Sequence, residues 1–253
     1  MMRKTLIALF ASLSMFSMIA NAESSPNFNP QQVNDIENIM HQYFLKNPEI
    51  LIEVSDILKK KQEEKQQKEM QASIERNKDQ LFMSNTTPSI GAKNPNTYIV
   101  EFYDFQCGHC KVQSKIMNQL LTKHKDVRLV LKDFPIFGGT SLFTAKAAIS
   151  AYKINKAAYV TFHDMLMDYN KGLNKKAVLK LAQEAGYQTA TIQKMIASQE
   201  ISDQMDKEID LAIKLNIRAT PFIIVANADL SKIKTVPGTA RLEQLEAVIA
   251  SVQ

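Results

Sequence analysis

Cysteine is nearly absent from this 253-residue chain, which holds two: Cys107 and Cys110. No second cysteine pair completes a zinc site, and His41, His124 and His163 are scattered along the sequence, so no metal-ligand set is expected. Haem attachment would need histidine directly after the second cysteine, where Lys111 stands. Beyond the first 22 residues there is no apolar run long enough to cross a bilayer. Charge of one sign is also lacking. The net charge is +5, of which Arg3 and Lys4 supply two, and the other lysines are not blocked together outside one helical pattern. Such a surface excludes nucleic acid as an expected partner.

The first 22 residues, MMRKTLIALFASLSMFSMIANA, combine a basic start, an apolar run over Thr5–Ala20 and a small-x-small end, Ala20-Asn21-Ala22. This pattern predicts a secretory leader over 1–22. A retained anchor is the alternative, disfavoured because the run is short and broken by Ser12, Ser14 and Ser17. No lipoprotein-type cysteine follows. The mature chain, 23–253, would reach a compartment that permits disulfides.

The two cysteines lie in Val100–Lys111, VEFYDFQCGHCK. A β-rich run, Tyr98–Tyr103, leads through Asp104-Phe105-Gln106 into Cys107-Gly108-His109-Cys110 and an amphipathic helical pattern over Lys111–Lys123. A strand feeding C-x-x-C at a helix start is a thioredoxin-like redox signature. The first turn of a helix has N–H groups without partners and the positive end of the helix dipole, so a thiolate at Cys107 is favoured there. Cys110, one turn on, is expected to be more buried and to resolve a mixed disulfide formed by Cys107. His109 can be cationic or donate to the thiolate, which would make the disulfide more oxidising. A purely structural disulfide is the competing reading, but so small a loop restricts the unfolded chain little.

The remaining organisation follows from periodicity. Residues 23–30 form an extended lead-in, and Val33, Ile36, Met40 and Tyr43/Phe44 then mark an amphipathic helix. Asn47 suits the N-cap and Pro48 the first position of a second helix carrying Leu51, Val54, Ile57 and Leu58. Two short helices cannot bury such stripes alone, so 23–58 is expected to be an oligomerisation module, a homodimer or trimer formed through 31–58. The alternative is that these helices fold back on their own chain. Residues 59–84 read as a solvated helical stalk and linker, since Lys, Glu and Gln dominate up to residue 80 and only Met70, Ala72 and Ile74 interrupt them. Within it begins Ser84–Asn96, a turn-rich linker or edge segment, and a catalytic domain is expected over 85–253. Val127–Lys132 predicts a strand parallel to Tyr98–Tyr103. Helices are expected at about Thr140–Ile154, Ala157–Tyr169, Asn174–Ala185, Thr189–Ser198 and Ile201–Leu215, capped by Asn174 and Thr189 and stopped by Gly172 and Gly186. They make an insertion of about 140–216, after which Pro221 opens a strand through Val225. Ile233–Val236 and a helix over Ala240–Val252 close the chain. Met165, Met167, Met195 and Met205 either fill the core or line a groove.

VEFYDFQCGHCK, LKDFPIFGG, the helical insertion and RATPFII together resemble the DsbA-like thioredoxin-fold proteins of bacterial envelopes. The N-terminal NPQQVNDIENIMHQYFLKNPEIL is similar to the Com-type, dimeric DsbA2-type members of intracellular gammaproteobacteria. The resemblance implies an α/β thioredoxin fold with an inserted helical domain, preceded by the helical oligomerisation segment and stalk. It implies Cys107 as nucleophile, Cys110 as resolving thiol, and Thr220-Pro221 as a substrate-docking loop with a cis proline. It also implies Glu101, six residues before Cys107, as a buried acid relaying the proton of Cys110. Lys132 is a candidate partner for Glu101, whose alternative is a solvent-facing carboxylate.

Gly108 stands where a monomeric oxidase of this family has proline, and Thr220 stands where it has valine; both, with the N-terminal helices, lean toward isomerase activity. The expected function is thus formation or isomerisation of disulfides in unfolded or misfolded exported proteins, in the periplasm, with outer-membrane association left open. The redox-active disulfide Cys107–Cys110 carries the electrons without metal or organic cofactor, and a membrane redox partner resets it. The competing reading is an oligomeric envelope chaperone or surface-exposed binding protein with secondary redox chemistry.

Overall fold

The structure, a computed structural model, describes residues 28–253, so the expected leader over 1–22 lies outside the described residues. Two compact units meet in sequence at Gln62 and Glu63.

In the first unit, helix α1 (Pro30–Lys46) begins with a reciprocal cap: Asn29 Oδ1 accepts from the Gln32 N–H at 2.9 Å, and Gln32 Oε1 accepts from the Asn29 N–H at 3.0 Å. Pro30 occupies the position where a missing N–H costs nothing. Asn47, expected to cap the second helix, closes the first instead. Its backbone N–H and side-chain amide both donate to the Tyr43 carbonyl, at 2.9 and 2.8 Å. The last carbonyls of a helix have no internal partners, and the amide is recruited backward to serve one. Helix α2 (Glu49–Arg76) follows. No residue of α1 is buried, and Val33, Ile36, Met40, Tyr43, Leu51, Val54, Ile57 and Leu58 all remain exposed.

The second unit begins within α2. The apolar interruptions of the polar run mark where it meets a core: Ile74 is fully buried, Met70 packs against the same cluster, and Ser73 Oγ donates to the Lys214 carbonyl at 2.7 Å. Ala72 stays exposed. A π-helical turn, Asp79–Met83, adds Leu81 and Phe82 to this cluster. Strand β1 (Ser89–Gly91) then forms a sheet edge.

Strand β2 (Thr97–Tyr103), helix α3 (Gly108–Lys123) and strand β3 (Val127–Asp133) make the expected βαβ unit, with β2 and β3 parallel. The insertion comprises α4 (Gly139–Ile154), α5 (Lys156–Asp168), α6 (Lys175–Glu184), α7 (Thr189–Ile196) and α8 (Gln199–Lys214). Asn174 caps α6 through the Ala177 N–H at 2.9 Å. Thr189 is not a cap but the first residue of α7, because the extended backbone at Gln188 already turns the chain into the helix. Gly186, with φ of 95°, ends α6 in the left-handed region where a Cβ would be strained, whereas α5 has already ended at Asp168 with Tyr169 extended, so Gly172 lies in the loop beyond it and is not its stop. Strands β4 (Phe222–Asn227) and β5 (Ile233–Pro237) and helix α9 (Leu242–Val252) complete the chain.

The five strands are ordered β1-β3-β2-β4-β5, with every pair but β2–β3 antiparallel. All seven residues of β2 are buried, so both of its faces are covered. Ile99 and Tyr103 face a core shared with α3, α4, α5 and α9, while Tyr98, Val100 and Phe102 face one built with α8 and the end of α2. Each such large side chain contributes about 1.5–3 kcal/mol by its burial. Met167 and Met205 are buried and Met165 and Met195 pack on the core, so these methionines fill space rather than line a groove.

Candidate active site

Cys107 occupies the cap position of α3 with its backbone still extended, at φ −75° and ψ 117°. Its N–H donates to the Asp104 carbonyl at 3.0 Å, and its own carbonyl accepts from the Lys111 N–H at 3.1 Å, opening the helical ladder. The sulfur therefore lies at the end of the helix where negative charge is favoured. The two cysteines are free thiols, and both are enclosed: Cys107 is 5% exposed and Cys110 0%.

The Thr220-Pro221 loop faces this turn. Cys107 Sγ donates to the Thr220 carbonyl at 3.4 Å, and the Thr220–Pro221 peptide is cis. The next residue, Phe222, pairs with Phe102 in the register of β2 and β4. One strand pair thus launches the cysteine turn and delivers the loop opposite it. The Thr220 hydroxyl oxygen is buried without a partner.

Glu101 is 2% exposed, and its Oε1 has no partner. Burial pushes its carboxyl up to about 8, so it is mostly neutral at pH 7. Burial also pushes the Cys110 thiol well up, and Glu101 and Cys107 add to the upward push when charged. Cys110 is therefore a poor thiolate unless a proton arrives as its charge forms.

Lys132 is not the partner of Glu101. In register, Glu101 pairs with Leu131, so Lys132 lies one residue off and points to the other sheet face. There its Nζ contacts Glu208 Oε2 at 3.0 Å, the Gln80 carbonyl at 2.8 Å and Thr87 Oγ1 at 3.0 Å. Thr87 Oγ1 in turn donates to Glu208 Oε1 at 2.8 Å. A buried ion pair stands only when its remaining polar positions are met, and the Gln80 and Thr87 oxygens do so here.

Sequence patterns do not single out Asp104, which reads only as a turn residue. In the structure its carboxylate is 2% exposed and accepts from the Gln106 N–H at 2.8 Å, Ser141 Oγ at 2.7 Å and the Phe137 N–H at 3.2 Å. Gln113, on the buried side of α3, accepts from the Ala240 N–H at 2.8 Å. The only sequence signal was an aspartate before a C-x-x-C, which by itself does not distinguish a turn former from an anchor.

Gly108 and His109 are exposed. A Cβ on Gly108 would meet nothing within 4 Å, and the position is the first of α3. Proline is favoured there, and the Cys107 ψ of 117° is one that a following proline tolerates. Gly108→Pro is therefore expected to fold and to gain about 0.4–1 kcal/mol in the reduced form. Urea unfolding checks this, and a loss of stability would count against the helix starting at Gly108.

Comparison with known proteins places this geometry. Residues 98–250 match the DSBA-like thioredoxin domain, and residues 32–65 match the N-terminal domain of copper resistance protein ScsC. The chain is 26% identical over 172 residues to a probable disulfide bond formation protein D of Bacillus cereus, covering 62% of this chain and 79% of that one. It is 30% identical to the solved structure of a thioredoxin-like oxidoreductase from Silicibacter pomeroyi, with a TM-score of 0.63, covering 69% of this chain and 96% of that one. The fold also matches BcfH of Salmonella enterica Typhimurium at a TM-score of 0.75 and 23% identity, over 88% and 96% of the two chains. From β2 to α9, then, the chain belongs to the DSBA-like thioredoxin family of thiol–disulfide oxidoreductases.

Proposed function

We propose that the protein forms and isomerises disulfides in exported proteins, with Cys107 as nucleophile and Cys110 as resolving thiol. The observation that carries this reading is Cys107 Sγ at the start of α3, 3.4 Å from the Thr220 carbonyl and one helical turn from a fully buried Cys110. In oxidation, a substrate thiolate attacks Cys107 Sγ of the Cys107–Cys110 disulfide. The Cys107–Cys110 bond breaks, a mixed disulfide forms at Cys107, and Cys110 leaves with the electron pair and takes a proton. A second substrate thiolate then attacks the substrate sulfur of the mixed disulfide and releases Cys107 as thiolate. The substrate loses two electrons and the pair gains them. In isomerisation, reduced Cys107 attacks a wrong substrate disulfide, and a substrate thiolate later displaces it. Thr220 offers backbone to an extended substrate segment, and no metal or organic cofactor enters these steps. A membrane redox partner resets the pair, the leader pattern of 1–22 supports a periplasmic location, and the N-terminal segment supports the Com-type, DsbA2-like subclass.

Glu101 supplies the proton to Cys110. Its carboxyl is neutral below about pH 8, so it can donate at neutral pH and loses that ability above. Glu101→Gln is expected to slow formation of the mixed disulfide, the step in which Cys110 leaves, about 10²-fold at pH 7 and to flatten its pH profile. The linkage has a definite sign. A carboxyl raised from 4.5 to about 8 stabilises the fold relative to its ionised form at low pH, and that contribution is lost as pH rises through this window. The wild type should therefore lose stability relative to Glu101→Gln between pH 5 and 8, as read by denaturant midpoints. Parallel curves would remove Glu101 from this role.

The direction of catalysis is tested by acid quenching and alkylation of cells with a mass tag. Forming and isomerising together predict both oxidised and reduced Cys107–Cys110 pools. A pool oxidised throughout would overturn the isomerase part, and one reduced throughout would overturn the donor part.

The exposed stripe of the first unit supports association with a second copy through 31–58, as a homodimer or trimer, and the ScsC N-terminal match over 32–65 is consistent with such a separate segment. Sedimentation of the full chain should give two or three copies, and Met40→Glu with Ile57→Glu should give one. A wild-type monomer would overturn this assignment. The same stripe keeps open a chaperone role, which would persist in a variant lacking both cysteines.

A further inference from the structure

A buried carboxylate that the exchange steps do not use lies three residues before the nucleophile. Asp104 Oδ1 accepts from the Gln106 N–H at 2.8 Å and Ser141 Oγ at 2.7 Å, and Oδ2 accepts from the Phe137 N–H at 3.2 Å. Gln106 Nε2 donates to the same Ser141 Oγ at 2.7 Å. The Asp104 carbonyl accepts the Cys107 N–H at 3.0 Å. One residue thereby joins the turn leading into Cys107 to a stretch more than thirty residues on, the loop after β3 and the adjoining first turn of α4.

We infer that Asp104 is a positioning residue for disulfide exchange at Cys107, holding the cysteine turn in fixed register against the Phe137 loop and the inserted helices. This inference rests on Cys107 being the nucleophile. The chemistry suits a carboxylate. It is acceptor-only and meets three donors at once, two of them main-chain N–H groups. Asparagine can keep the Gln106 and Ser141 bonds through its oxygen, but presents an N–H to the N–H of Phe137. Alanine loses all three.

The consequence depends on substrate size. Exchange needs the incoming sulfur, Cys107 Sγ and Cys110 Sγ roughly in line. A small dithiol can reorient to follow a displaced turn. A protein substrate cannot, because its approach is set by the surfaces around the turn, among them the exposed Ile136 and Phe137. Misplacement on the order of 1 Å is enough to cost about 10²-fold where geometry is imposed from outside.

The test compares Asp104→Asn, Asp104→Ala and Ser141→Ala with the wild type, using oxidised enzyme and two substrates, reduced unfolded ribonuclease and dithiothreitol. Thermal melts verify that each variant is folded at the assay temperature, and Ser141→Ala, which leaves two of the three Asp104 contacts, keeps the test open if alanine at 104 does not fold. The expected result is a fall of about tenfold in kcat/KM for the protein substrate with Asp104→Asn, more with Asp104→Ala and less with Ser141→Ala. The dithiothreitol rate should stay within about threefold. Equal losses for both substrates, or no loss for either, would overturn the positioning role. Failure of the underlying reading looks different: the wild type itself would oxidise neither substrate, or Cys107→Ser would retain activity.

Discussion

The site depends on the register of β2 between β3 and β4. Strand side chains alternate, so sliding β2 by one residue would exchange everything on its two faces. In the observed register Glu101 shares the face of Ile99 and Tyr103, under the helix that carries Cys110, and Phe102 pairs with Phe222, which places Thr220 opposite Cys107. The register is enforced by burial on both sides. Tyr98, Val100 and Phe102 are packed against α8 and the end of α2, and Ile99 and Tyr103 against α3 and the insertion. Neither set can reach water without losing several large buried side chains, and that cost locates a reactive sulfur to within hydrogen-bond distance of a loop more than a hundred residues away.

The same burial creates the chemical asymmetry between the two thiols. Cys107 lies where the first N–H groups of α3 are unpaired, and it also faces a carbonyl. Cys110 is one turn deeper, enclosed, and its charged form is opposed by desolvation first of all. In the proposed exchange a mixed disulfide at the outer sulfur leaves behind an inner sulfur that needs a proton, and the Glu101 carboxyl beneath it is held neutral by the same lack of water. Desolvation is thus the common cause of the raised Cys110 thiol and of the neutral Glu101 carboxyl.

Much of this was legible in the residues. C-x-x-C after a β-rich run, the apolar periodicities of the insertion and the run after Pro221 located every strand of the sheet interior and each inserted helix within a few residues, because those signals are local. What was not legible depended on direction or distance. Lys132, at the end of the next strand, was a reasonable partner for Glu101, yet parity in the strand sends it to Glu208, a residue on α8 with no local mark. Asn47 and Thr189 carry side chains suited to starting a helix, and the backbone used one to end a helix and passed over the other. The isomer of the Thr220–Pro221 bond is set by tertiary context, since the two forms differ little in energy.

Asp104 was illegible for a further reason, and that reason bears on how the insertion relates to the catalysis. A thioredoxin-like core needs only a turn between β2 and α3, and many short polar residues make one. Here the turn residue is buried, and its carboxylate spends its acceptor capacity on groups of the post-β3 loop and α4 rather than on water. The inserted helices are therefore not an appendage packed beside a finished site. Their first turn, through Ser141, and the loop before it, through Phe137, supply donors to the cysteine turn, so that turn is held both by the sheet beneath it and by the insertion beside it.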